Sequence, residues 1–153
     1  MGRLIMRGHF ENDNPHIEIE VTGLLSQNSQ KIKVMVDTGF NGHLQIPFLT
    51  AFPLGLSLIG VQQVVIADGS TVNQFVCIGS VKIDGKTIAI PINIGDGCGT
   101  LLGTKLLKQA EKSLKINFVT EEIEIFDSPT PSILVESEKK ESSVVDIKPA
   151  TTI

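Results

Sequence analysis

The chain has 153 residues and a formal net charge of −4, with 41 % hydrophobic residues but only 5 % aromatic ones, seven Phe and neither Trp nor Tyr. That length fits one domain plus a tail. The core must be aliphatic, rich in Ile and Val, which favours strands because β-branched side chains pack well on a pleated surface. There is no Lys/Arg block to argue for a nucleic-acid partner and no apolar run long enough to cross a membrane.

From the N-terminus, Met1 to Met6 carry no apolar leader with a cleavage site, and Met6 stands where a myristoylation signal has Ser or Thr. The expected location is cytoplasmic. Ile17, Ile19 and Val21 alternate with Glu18, Glu20 and Thr22, the pattern of a half-buried strand. Gln27-Asn28-Ser29-Gln30 reads as a turn. A second alternating strand, Ile32 to Val36, runs straight into Asp37-Thr38-Gly39, and a short apolar stretch, Leu44 to Pro47, follows.

Val61 to Ala67 and Val72 to Ile83 read as two strands joined at Asp68-Gly69, a hairpin signal because both residues tolerate positive φ. Asp84-Gly85 is a second such turn. Ile88, Ile90, Ile92 and Ile94 alternate beyond it, with Pro91 pointing to an edge or a bulge. After the Gly-rich loop 95–99 and Leu101-Leu102-Gly103, Thr104 to Lys112 reads as the one helix. Leu106, Leu107 and Ala110 fall on one face and Thr104 is a candidate cap. Strands at Ile116/Phe118 and Ile123/Ile125 close residues 1–126. From Asp127 the composition turns to Ser, Glu, Lys and Pro, so 127–153 is expected to be a disordered tail.

Cys77 and Cys98 are far apart and read as reduced thiols; they and the scattered His9, His16 and His43 make no metal-ligand spacing. Gly97 to Lys105 looks like a phosphate loop, but five residues separate Gly97 from Gly103, where the pattern needs four, and Thr104 intervenes before Lys105.

Asp37-Thr38-Gly39 carries the chemistry. An apolar strand delivers the Asp. About sixty residues on, two leucines and a glycine open the helix. This order of strand, D-T-G, hairpin and hydrophobic pair with Gly resembles the retropepsin-like aspartic proteases, over residues 15–126. D-T-G-F followed by N-G is most similar to their bacterial single-lobe branch. Phe40 stands where the best-known retroviral members have Ala, a change that bears on pocket shape rather than chemistry.

The resemblance implies a mainly β fold, a closed barrel-like lobe with one short C-terminal helix. It further implies an aspartic endopeptidase without metal or cofactor. Asp37 would be the catalytic carboxylate, supported by Thr38 and Gly39. Ala67, Asp68, Gly69 and Ser70 would tip a flap over an extended peptide, and Leu101, Leu102 and Gly103 would pack behind the catalytic turn. Peptide hydrolysis by carboxylates needs one group as base and one as acid, and two adjacent carboxyls divide those roles by sharing a proton. The chain has a single D-[ST]-G, so a homodimer must supply the second. Ile123 to Phe126 is the expected strand across the two-fold axis. The alternative is a non-catalytic dimerisation or peptide-binding module of the same fold, holding an extended segment by its groove and strand edges.

Overall fold

The computed structural model describes residues 2–24, 28–96 and 98–128. Ten strands form its frame: β1 (Leu4–Glu11), β2 (Asn14–Gly23), β3 (Ser29–Val36), β4 (Leu44–Pro47), β5 (Ser57–Val65), β6 (Thr71–Ile83), β7 (Lys86–Gly95), β8 (Leu101–Leu102), β9 (Lys112–Asn117) and β10 (Glu122–Asp127). Two short helices, α1 (Phe48–Ala51) and α2 (Thr104–Gln109), and a 3₁₀ turn at Phe52–Leu54 complete it.

The strands run in the order β5-β6-β7-β4-β8-β3-β2-β1-β10-β9, with β6 also pairing β2. That extra pairing, from Glu20↔Lys82 to Gly23↔Gly79, closes β2-β3-β8-β4-β7-β6 into a ring. β5 extends the sheet from β6, and β1-β10-β9 extend it from β2. The class expected from the sequence is therefore observed: mainly β, barrel-like, with α2 near the C-terminal end.

Alternation decides which side chains fill the ring. Ile17, Ile19, Val21, Val34, Leu44, Ile46, Val81, Ile90 and Ile92 are all buried, while their sequence neighbours Glu18, Lys33, Gln45 and Lys82 face away. Burying each such side chain is worth roughly 1.5–3 kcal/mol. The core is aliphatic throughout, as the scarcity of aromatics requires.

Several local expectations are corrected. The first flap strand spans Ser57–Val65, so Ile66 and Ala67 belong to the turn. Ser29 and Gln30 open β3 rather than a turn; Gln27 lies outside the described residues. β7 is an inner strand with an unbroken register against β6. Pro91 fits there because β4 begins pairing only at Ile92, one residue later. The helix stops at Gln109, because Glu111 takes a left-handed conformation (φ 56°) and Lys112 opens β9. Its N-cap is Gly103 and no side chain caps it. The Thr104 and Lys105 N–H groups donate instead to the Phe40 and Gly42 carbonyls, which does the work of a cap.

Phe118 lies beyond β9 and is exposed. Asp127 ends β10 rather than starting a tail, and it pairs with Lys112 at 2.7 Å and Arg3 at 3.4 Å. The remainder of the expected tail, 129–153, lies outside the described residues. β1, α1 and the 3₁₀ turn were not foreseen. No helix among the described residues is long and apolar enough to cross a membrane.

Candidate active site

Val34 and Val36 anchor β3 in the core and carry the chain to Asp37 at its end. β3 pairs in parallel with β8, Met35 beside Leu101 and Val36 beside Leu102, and the Asp37 N–H donates to the Leu102 carbonyl at 3.0 Å. The turn then tightens: the Phe40 N–H reaches the Asp37 carbonyl at 3.1 Å, and the Gly39 N–H donates to Asp37 Oδ1 at 2.9 Å. Asp37 is half-buried, with Thr38 and Gly39 exposed beside it. One carboxylate oxygen is thus held by a backbone donor at the surface of the lobe. A charge-assisted bond of this kind fixes the direction of the carboxylate.

Leu101 and Leu102 of β8 run beside the end of β3, and Gly103 follows them into α2. Leu102 is sealed in the core, and β8 sits between β3 and β4, aligned with Leu44 and Gln45 of the latter. The Gly103 N–H donates to the His43 carbonyl at 3.0 Å. The loop 40–43 is therefore stitched to the start of α2 by backbone bonds at consecutive residues, 103 to 105. His43 Nε2 stands 3.0 Å from Gln109 Oε1. Burial holds the His43 imidazole below its ordinary value; the Gln109 bond opposes this and Lys105 reinforces it.

A groove of about 1010 Å³ runs from the loop after Asp37 toward the flap. Phe40 to His43 line one end, Val64, Ile66 and Val72 the flap side, and Gln45, Gln74 and Asn93 the floor. Asp37 itself is not among the residues that line the groove. The flap tip also stands apart: Ala67, Asp68, Gly69 and Ser70 are exposed, and among the described residues no hydrogen bond joins them to the Asp37 turn. At the tip only Gly69 has positive φ (85°), so Asp68 does not share the left-handed conformation expected of both residues. Asp68 instead accepts from the Ser70 N–H at 2.8 Å and hydroxyl at 2.6 Å, which holds its carboxyl below the usual range.

Cys77 and Cys98 are free. Burial pushes both thiols up, and Cys98 donates to the Ile46 and Gly95 carbonyls. Among the described residues no group of three His, Cys, Asp or Glu side chains is placed to hold a metal ion.

No family model matches the chain, and no curated protein matches it. Among solved structures it is similar to the EIAV protease complexed with the inhibitor HBY-793, with a TM-score of 0.51. The lobe has a retropepsin-like fold. The match covers 67 % of this chain and 93 % of the viral one at 19 % identity, so the likeness is one of fold. The sequence pattern singled out Asp37-Thr38-Gly39 and Leu101-Leu102-Gly103, which the structure brings side by side, but not the groove amides Gln45, Gln74 and Asn93. A usable signal was present: Gln45 and Asn93 are polar residues set between buried aliphatic neighbours, on the strand face turned away from the core.

Proposed function

We propose that the protein is an aspartic endopeptidase whose dyad is formed by Asp37 of two chains, a retropepsin-like lobe of the bacterial single-lobe type. The observation that carries this reading is the Asp37 turn. A D-T-G carboxylate sits at the end of a core strand with one oxygen held by the Gly39 N–H, braced from behind by β8 and α2, and the loop that follows it, Phe40 to His43, lines a groove of about 1010 Å³. The D-T-G-F-N-G run supports the bacterial assignment. Thr38 and Gly39 are exposed, so a second copy can approach the carboxylate on that face. Two Asp37 side chains brought together would hold one proton between them. The ionised one would activate water, and the protonated one would deliver its proton to the peptide carbonyl oxygen.

One observation favours the binding-module alternative. Among the described residues β5 pairs only with β6, so its outer edge is open to strand addition. A single experiment separates the two readings. Purified full-length protein and Asp37→Asn are incubated with a mixed peptide library from acidic to neutral pH, cleavage is followed by mass spectrometry, and folding by circular dichroism. The endopeptidase cleaves with a bell-shaped pH profile, and Asp37→Asn loses at least ~100-fold while staying folded. Peptide capture without cleavage by either protein would establish the module instead.

A further inference from the structure

The groove floor carries a row of amides. Gln62 on β5 aligns with Gln74 on β6, and Asn93 on β7 aligns with Gln45 on β4. Gln74 and Asn93 are diagonal neighbours, because Asn93 is aligned with Val76, two residues along β6. All four line the groove. Three are joined in sequence: Asn93 Nδ2 donates to Gln74 Oε1 at 3.2 Å, Gln74 Nε2 to Gln45 Oε1 at 3.1 Å, and Gln45 Nε2 to the Gly99 carbonyl at 3.2 Å.

The polarity of this row follows from its anchor. A backbone carbonyl only accepts, so Gln45 must turn its NH₂ toward Gly99 and its oxygen toward Gln74. Gln74 must then present its NH₂ to Gln45 and its oxygen to Asn93, and Asn93 its NH₂ to Gln74. The acceptor at the far end is Asn93 Oδ1, on a half-buried residue of the groove wall.

The row is satisfied as a unit: Gln74, only 6 % exposed, is met by Asn93 on one side and Gln45 on the other, and a buried amide stripped of such partners would cost about 1–3 kcal/mol. The neighbouring floor and flap positions, Val64, Val72 and Val76, are aliphatic.

We infer that the groove contains a subsite, built on Asn93 and backed by Gln74 and Gln45, for an uncharged hydrogen-bond-donating side chain: Asn, Gln, Ser or Thr of an extended peptide. This names a substrate preference and rests on the endopeptidase reading. An aliphatic side chain there would strip water from the Asn93 oxygen and offer nothing in return.

The test is binding to an array of extended decapeptides in which each position in turn carries Asn, Gln, Ser, Thr, Leu, Val, Lys or Glu. The full chain is compared with Q45L/Q74L/N93L and with Asn93→Leu. The triple variant removes all three partners together, which is far gentler on folding than leaving Gln74 buried and half-bonded. Thermal melts verify that each variant is folded. The expected result is one position at which the wild type prefers the neutral donors over Leu and Val by about 10-fold, with both variants reversing that preference and leaving other positions unchanged. Aliphatic or Lys preference in the wild type at every position, a preference untouched by the triple variant, or no binding at all overturns the inference. Cleavage, read separately on the same peptides, reports on the endopeptidase reading: a donor preference in binding without cleavage would defeat that reading and leave the subsite standing.

Discussion

A methyl group on Gly103 would lie 2.2 Å from the Gly42 carbonyl oxygen and 2.7 Å from that of Phe40. Both are backbone atoms of the loop that follows Asp37, so neither can swing aside as a side chain would. Gly103→Ala must push this loop away from α2 and break the run of bonds from residues 103–105 to 40–43. We expect a loss of roughly 1–3 kcal/mol, the usual cost of overpacking a tight site, together with reduced cleavage, because the displaced loop is tied to the Asp37 carbonyl through the Phe40 N–H. Gly60→Ala is the control, since a methyl group there meets nothing within 4 Å. Urea denaturation of the two variants checks the claim: equal midpoints would mean the contact is not structural. Gly103 was legible in the sequence because a glycine between two leucines and a helix has few other uses. The cap on that helix was not legible. Thr104 has the right chemistry, yet the structure makes Gly103 the N-cap and meets the first free N–H groups, those of Thr104 and Lys105, with carbonyls some sixty residues earlier in the chain, and no local pattern records that.

At the scale of elements, the strands with clean alternation were the readable ones. β2, β3 and β7 each bury one face, and a period of two is what a ring with a single core imposes. β1 escaped notice because it buries neither face fully: Leu4 to Glu11 is half-buried along most of its length, and its register with β10 shifts between Leu4 and Met6. α1 is four residues long, too short for any helical period to appear. The flap hairpin was readable from Asp68-Gly69, though only Gly69 uses the left-handed region. A methyl group on Gly69 would touch nothing within 4 Å, so the demand there is purely conformational. Gly69→Val, with a branched side chain at φ 85°, would distort the tip without disturbing the core. The expected outcome is a fall in kcat/KM larger than the fall in stability, with Gly69→Asn largely spared because Asn visits this region more readily. Steady-state kinetics beside thermal melts decide it; unchanged kinetics in folded Gly69→Val would leave the hairpin a purely structural element.

For the whole molecule, the decisive constraint is that each chain offers one D-T-G. The terminal strand was expected to pair across a two-fold axis, and the topology corrects this: β10 already has β1 on one side and β9 on the other, from Leu4↔Phe126 to Asp127↔Lys112. Removing residues from 122 onward would take away the strand that both neighbours depend on, so it would damage the lobe rather than loosen a dimer. A deletion meant to spare the lobe must start after Ser128, since Asp127 binds Lys112 and Arg3 and the Ser128 N–H donates to the Glu111 carbonyl. A dimer serving the proposed dyad must instead form on the face that exposes Thr38 and Gly39, because only there can two Asp37 carboxyls meet. Mixing measures this directly. If wild-type and Asp37→Asn chains assort at random at constant total protein, an equal mixture retains about one quarter of the wild-type activity, because both halves of each site must be intact. An enzyme complete in one chain would retain about one half under the same mixing. Activity per chain should also fall on dilution as dimers dissociate. Activity that tracked the wild-type fraction linearly, and stayed constant per chain on dilution, would refute the shared dyad, because no other D-T-G exists in the sequence to provide the second carboxyl.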